Sequence, residues 1–99
     1  MRIVAVTACP TGIAHTYMAA EQLEKAARRL GHQIKVETQG AMGIENELSA
    51  DDISSAELVI FAADIAVQKR ERFEKVKTIE VGIREAIRNP AALFSPGSK

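Results

Sequence analysis

An open three-layer α/β fold is predicted: four parallel strands in the order 2-1-3-4, helices on both faces, and an active-site loop after strand 1. Three observations predict it. The runs 2–8 and 57–63 are apolar without alternation, which suits strands buried on both faces at the middle of a sheet. Helix-like segments separate the strand-like ones, and strands joined by helical crossovers pair in parallel. At 99 residues there is room for one compact domain, assigned to 1–94, with a disordered tail at 95–99.

Each element has its own warrant. Ile3, Val4 and Val6 make 2–8 the first strand. From about 14 to 30, Tyr17, Ala20, Leu23, Ala27 and Leu30 recur at helical spacing, opposite Glu21, Gln22, Lys25, Arg28 and Arg29, and Gly31 supplies a stop. Residues 33–38 alternate polar and apolar, as expected of a less buried edge strand. The Gly-rich stretch Gln39–Gly43 reads as a connection. Ser49 and Asp52 then stand in capping-box spacing around a short helix. The third strand, 57–63, ends at Asp64; the charged stretch 67–74 suits a short helix. Residues 76–81 form a weak fourth strand. A helix over 83–89 ends, or restarts as a final turn, at Pro90.

Composition excludes several classes. With 46% hydrophobic and 26% charged residues the chain is globular, and its 13 basic and 13 acidic side chains give no reason to expect nucleic acid or an anionic membrane as partner. One cysteine allows no internal disulfide, and no clustered His/Cys pattern suggests a metal. The strongest apolar run, Leu58–Ala63, is far short of the roughly 20 residues that span a bilayer. The expectation is a cytoplasmic protein without membrane insertion, a monomer in isolation, that reaches any membrane process through a partner.

The lone thiol carries the chemistry. Cys9 follows the first strand directly and opens the turn Cys9-Pro10-Thr11-Gly12-Ile13-Ala14-His15-Thr16 in front of the first helix. In open α/β sheets ligands bind beyond the carboxyl ends of the strands where the strand order reverses, which is the end of strand 1. A helix N-terminus there offers unpaired N–H groups and the positive end of the dipole, which favour both an anion and a thiolate. A thiolate beside an anion site suggests covalent phosphate chemistry. Amides from Thr11 to Thr16 would hold the phosphate oxygens, Gly12 lets the backbone turn, and Thr11 and Thr16 add hydroxyl donors. The bland alternative is a small buried hydrophobe at a strand end.

Spacing narrows the reaction. Cysteine phosphatases place an arginine six residues after the nucleophile, where its planar fork grips the phosphoryl group. Here that position holds His15, followed by Thr16. The loop therefore suits accepting and passing on a phosphoryl group better than hydrolysing an ester. A small cysteine-dependent phosphatase or arsenate reductase is the alternative; the absent arginine and the lack of a second cysteine weigh against it. There is no Cys-x-x-Cys, no Walker lysine motif and no acidic cluster of a phosphoaspartate receiver.

The segment Cys9–Ala20 resembles the active-site signature of the fructose-type enzyme IIB domains of the bacterial phosphoenolpyruvate-dependent sugar phosphotransferase system. Val36-Glu37-Thr38-Gln39-Gly40 resembles that family's second-strand segment, and Asp64 with Arg72-Phe73 its region after strand 3. The resemblance implies that Cys9 takes phosphate from a phosphohistidine of the IIA protein or domain. It then gives it to a sugar, fructose or a related one, held by the membrane IIC component, where specificity mainly resides. No cofactor is expected, because amide donors can stabilise the transferred group without a metal.

The remaining candidates each have two readings. His15 either touches the phosphate or Cys9, or packs the loop as a neutral side chain. Gln39 and Gly40 either approach the phosphate or form an ordinary connection. Asp64, at the end of a buried strand, suits a bond to neighbouring loop backbone better than acid catalysis. Arg72, in the run Gln68–Arg72, either binds phosphate or partners, or belongs to a solvated face. His32 should be solvent-exposed.

Overall fold

The computed structural model describes residues 1–9, 13–40 and 43–94, with the side chain of Ile13 left out. The expected tail at 95–99 lies outside these. The strands are β1 (Arg2–Ala8), β2 (Gln33–Gly40), β3 (Gly43–Glu45), β4 (Leu58–Ala63) and β5 (Thr78–Val81). The helices are α1 (Ile13–Arg29), α2 (Ala50–Ser54) and α3 (Ile83–Arg88), with 3-10 turns at Arg70–Phe73 and Pro90–Phe94.

The sheet corrects the expected one. It has five strands in the order β3-β2-β1-β4-β5 and is mixed, where four parallel strands in the order 2-1-3-4 were expected. The added strand, β3, pairs antiparallel with β2 through Thr38–Glu45, Gln39–Ile44 and Gly40–Gly43. It was hidden because three residues show no periodicity and their flanking glycines read as a connection. Its presence takes the Thr38–Gly40 end of β2 off the edge. β1 lies in parallel register between β2 (Ile3 opposite Ile34) and β4 (Ile3 opposite Leu58), and β4 pairs in parallel with β5.

Alternation along the strands builds two cores. Ile3 and Ala5 of β1, Val36 of β2 and Leu58, Ile60 and Ala62 of β4 pack beneath α1 and α3. Val4, Val6, Val59 and Phe61 face the other way, onto Leu48, Ile53, Val67 and Phe73. Among the described residues, that second face is covered by the five-residue α2, the 3-10 turn at Arg70–Phe73 and loops. Cations over rings reinforce it: Arg70 stands 4.9 Å from the Phe61 ring centre and Arg72 4.7 Å from that of Phe73.

Helix ends follow the sequence closely. Ser49 and Asp52 form the full capping box of α2, and Lys35 also bonds Asp52. The Lys35 ammonium, then the Ser49 amide and hydroxyl, hold the Asp52 carboxyl at about 2. Gly31, at a φ of 81°, closes α1: its N–H donates to Arg28 O and that of His32 to Ala27 O, the paired bonds of a Schellman end. His32 is half-buried against Phe94 instead of exposed.

The buried stripe of α1 also differs from the expected one. It runs through Thr16, Ala19, Ala20, Leu23, Ala26 and Ala27, while Tyr17 and Leu30 are exposed. Small alanines let the helix lie close on the sheet, which the larger Tyr17 and Leu30 would prevent. Leu23→Ala, at a fully buried site, should therefore cost about 2–5 kcal/mol, whereas Leu30→Ala should stay within about 0.5 kcal/mol of wild type. Urea unfolding of the two variants measures the contrast.

Candidate functional site

The carboxyl edge of the sheet holds Cys9 from both sides. Its N–H donates to Gln39 O at 3.3 Å, and Asp64 N–H donates to the carbonyl of the preceding Ala8 at 2.9 Å. β1 thus ends pinned between β2 and β4, and the chain must turn there into α1. The thiol is reduced and buried with Ala19 and Ala20 under α1. α1 begins shortly after, so the amides of its first turn and the positive end of its dipole lie at this edge.

The candidate loop residues fall into three groups. Thr11 and Gly12 lie outside the described residues, and Ile13 is described only as the first residue of α1. Ala14 and His15 are exposed. Thr16 is buried, its carbonyl accepts the Thr7 hydroxyl at 3.2 Å, and Gly40 lies against its side chain. A Cβ built on Gly40 would stand 3.7 Å from Thr16 Oγ1, so β2 and the start of α1 are in near contact.

His15 and Asp64 meet in one cleft of about 190 Å³ at this edge, lined also by Met18, Ile83, Arg84 and Ile87. Asp64 Oδ1 accepts the Ile83 N–H at 3.1 Å and so holds the start of α3. Larger clefts, of about 330 and 410 Å³, lie on the opposite face around Phe73 and Val76 and do not include Cys9. Among the described residues no three His, Cys, Asp or Glu side chains converge as metal ligands would.

Gln39 and Arg72 are engaged elsewhere, with a residue that the sequence reading passed over. Glu37, fully buried in β2, receives Arg72 Nη1 and Nη2 at 3.0 Å each, the Leu48 N–H at 2.9 Å and Gln39 Nε2 at 2.7 Å. Burial alone pushes the Glu37 carboxyl up, but the Arg72 fork, the Leu48 amide and Gln39 together hold it below its ordinary value of 4.5. Gln39 also donates to Gln68 O at 3.1 Å and accepts the Gln68 N–H at 2.8 Å. Its amide and the Arg72 guanidinium thus serve the fold on the α2 side, while the backbone carbonyl of Gln39 holds Cys9. The alternation of 33–38 placed Glu37 outside; the signal available was its place in the resembling segment Val36–Gly40.

On the rim, Tyr17 donates to Glu45 of β3. That hydrogen bond, with burial and the Glu45 charge, raises the phenol above its ordinary value.

The chain's one cysteine therefore stands at the carboxyl edge of the sheet, directly before a long helix, in a small open α/β domain. Comparison with known proteins narrows this description. Residues 4–96 match the family described as "PTS system, Lactose/Cellobiose specific IIB subunit". The "PTS system fructose-like EIIB component 2" of Escherichia coli K12 is 51% identical over 94 residues, which cover 95% of this chain and 89% of the relative. A "PTS system 2-O-alpha-mannosyl-D-glycerate-specific EIIABC component" from the same organism is 56% identical over 92 residues, 93% of this chain but 14% of that much longer protein. Among solved structures, a domain of a fructose-specific IIABC component from Borrelia burgdorferi superposes with a TM-score of 0.90 at 45% identity, covering 94% of this chain and 88% of that one. The chain belongs to the IIB family of the sugar phosphotransferase system.

Arg72→Ala should cost about 3–5 kcal/mol, because it leaves the Glu37 carboxylate buried without its countercharge. The lowered carboxyl also sets a sign. Glu37 contributes stability that is fully present above pH 4.5, its ordinary value, and is lost as pH falls through its lower folded value. Urea midpoints followed from pH 6 downward should fall less steeply in Glu37→Gln than in the wild type.

Proposed function

We propose that this chain is a phosphocarrier in bacterial sugar uptake: Cys9 accepts a phosphoryl group from a phosphohistidine of IIA and passes it to a sugar, fructose or a related one, held by the membrane IIC component. The observation that carries the reading is the placement of the chain's one cysteine at the end of β1, before the N-terminus of α1, within the IIB family. Relatives named as EIIABC and EIIBC components support IIA and IIC as partners.

In the first step the Cys9 thiolate attacks phosphorus in line with the imidazole. The S–P bond forms, the P–N bond breaks, and its electron pair returns to the ring nitrogen. In the second step a sugar hydroxyl attacks the same phosphorus, the S–P bond breaks and the thiolate is restored, while the hydroxyl proton goes to a base or solvent. Both steps need alignment and donors for the equatorial oxygens more than covalent chemistry by the protein. Amides of the turn Thr11–Thr16 supply these donors, together with the Thr11 and Thr16 hydroxyls, and no cofactor is required.

His15 stands exposed on the rim of this turn, suited to meeting either partner or the phosphate. No helix among the described residues is long and apolar enough to cross a membrane. As a partner of IIC, the chain would work at the cytoplasmic face, as a monomer docked to that component. Ester hydrolysis is disfavoured by His15 at the arginine position, and arsenate reduction by the lack of a second cysteine.

Incubation with phosphoenolpyruvate, the general phosphotransferase proteins and a matching IIA should add one phosphate to the intact mass, and Cys9→Ser should abolish it. An unmodified wild type with a competent donor, or an adduct that survives Cys9→Ser, would refute the proposal.

A further inference from the structure

Among the described residues, Thr38 Oγ1 is the buried side-chain polar atom that has no hydrogen-bond partner. Thr38 is 4% exposed, so water does not satisfy the hydroxyl from outside. A donor left unpaired in an interior is unfavourable, and an isosteric valine would avoid the cost. Strands favour valine at least as well. A hydroxyl in this position therefore needs a reason.

Its surroundings give one. The strand alternation puts Val36, Thr38 and Gly40 on the face of β2 that looks toward α1. Val36 packs in the core beneath that helix, and Gly40 lies against Thr16 in its first turn. Across the sheet Thr38 is in register with Thr7, whose hydroxyl bonds Thr16 O. Thr38 thus stands in a buried threonine cluster under the N-terminus of α1, one strand over from Cys9. A 17-residue helix directs its positive end to this place. The unpaired hydroxyl and the helix terminus are independent features, and both favour the same occupant, an anion.

We propose that the Thr38 hydroxyl is held in reserve for the charged state of the site: it donates a hydrogen bond to the phosphoryl group on Cys9 and so stabilises the adduct. The inference rests on the reading of Cys9 as a phosphate carrier and deepens it by adding a donor from β2 to those of the turn. Gln39, whose side chain is turned to the opposite face, cannot supply this contact from the same strand.

The test uses Thr38→Val, which removes the hydroxyl at constant volume, and Thr38→Ser, which keeps it. Each protein is charged through a competent IIA, separated from the donor, and followed by intact mass and by thermal melting. In Thr38→Val the phosphoprotein should lose phosphate about tenfold faster, the size expected for a hydrogen bond to a charged group. Its melting temperature should stay the same or rise, and Thr38→Ser should keep a lifetime near that of the wild type. An unchanged lifetime in a charged Thr38→Val overturns the inference alone, as does a fall in its melting temperature, which would mean a structural partner for the hydroxyl. A wild type that takes no phosphate overturns the functional reading itself, a distinct result.

Discussion

A fully buried carboxylate organises the thinner half of this molecule. Glu37 sits inside β2 and takes the Arg72 fork, the Leu48 amide and Gln39 at once. Moving a carboxylate out of water is costly, and such a group persists only when its lone pairs are filled and a countercharge is close. Here the four bonds come from three segments: β2 itself, the loop before α2, and the turn after β4. Neither the loop nor the turn has a long helix to hold it. The α2 face is covered by a five-residue helix and a 3-10 turn, so the polar network does there what α1 and α3 do on the other side by apolar packing.

The same network reaches the thiol through the backbone. Gln39 spends its side chain on Glu37 and Gln68 and its carbonyl on the Cys9 amide. The interior charge and the edge that bears Cys9 are therefore two faces of one strand end. Lys69, next in the chain, takes a left-handed φ of 58°, unusual for a residue with a side chain. Its carbonyl accepts Arg72 Nε at 2.8 Å, so the bonds that satisfy Glu37 also fix this turn.

The strongly patterned parts of the fold were legible in the sequence. Continuous apolar runs marked β1 and β4, the Ser49/Asp52 spacing marked α2, Gly31 marked the end of α1, and the position of Cys9 between strand and helix followed directly. What escaped has physical causes. β3 is too short for a period to show, and its pairing is decided by the chain folding back on β2. Glu37 followed the outward phase of a half-exposed strand, but the loop before α2 and the turn that bears Arg72 close over it. In α1 residue size misled: Tyr17 and Leu30 are apolar yet exposed, while the inward stripe is mostly alanine with Thr16. At the site, Gln39, Asp64 and Arg72 sit at the carboxyl side of the sheet, but their side chains bond protein groups. A sequence pattern places a residue at an edge without saying which way its functional group turns.

β3 has a consequence for how such a domain lives beside copies of itself. A long bare edge strand is a template on which another chain can pair. Here β3, anchored by Tyr17, covers the Thr38–Gly40 end of β2, and the opposite border is the four-residue β5, where Arg70 and Glu80 form an ion pair. The stretch of β2 that β3 leaves uncovered carries the charged Lys35, and β5 is short and charged, so neither border is a long apolar template for strand-by-strand growth. A domain with such borders is poorly suited to extending its sheet through copies of itself.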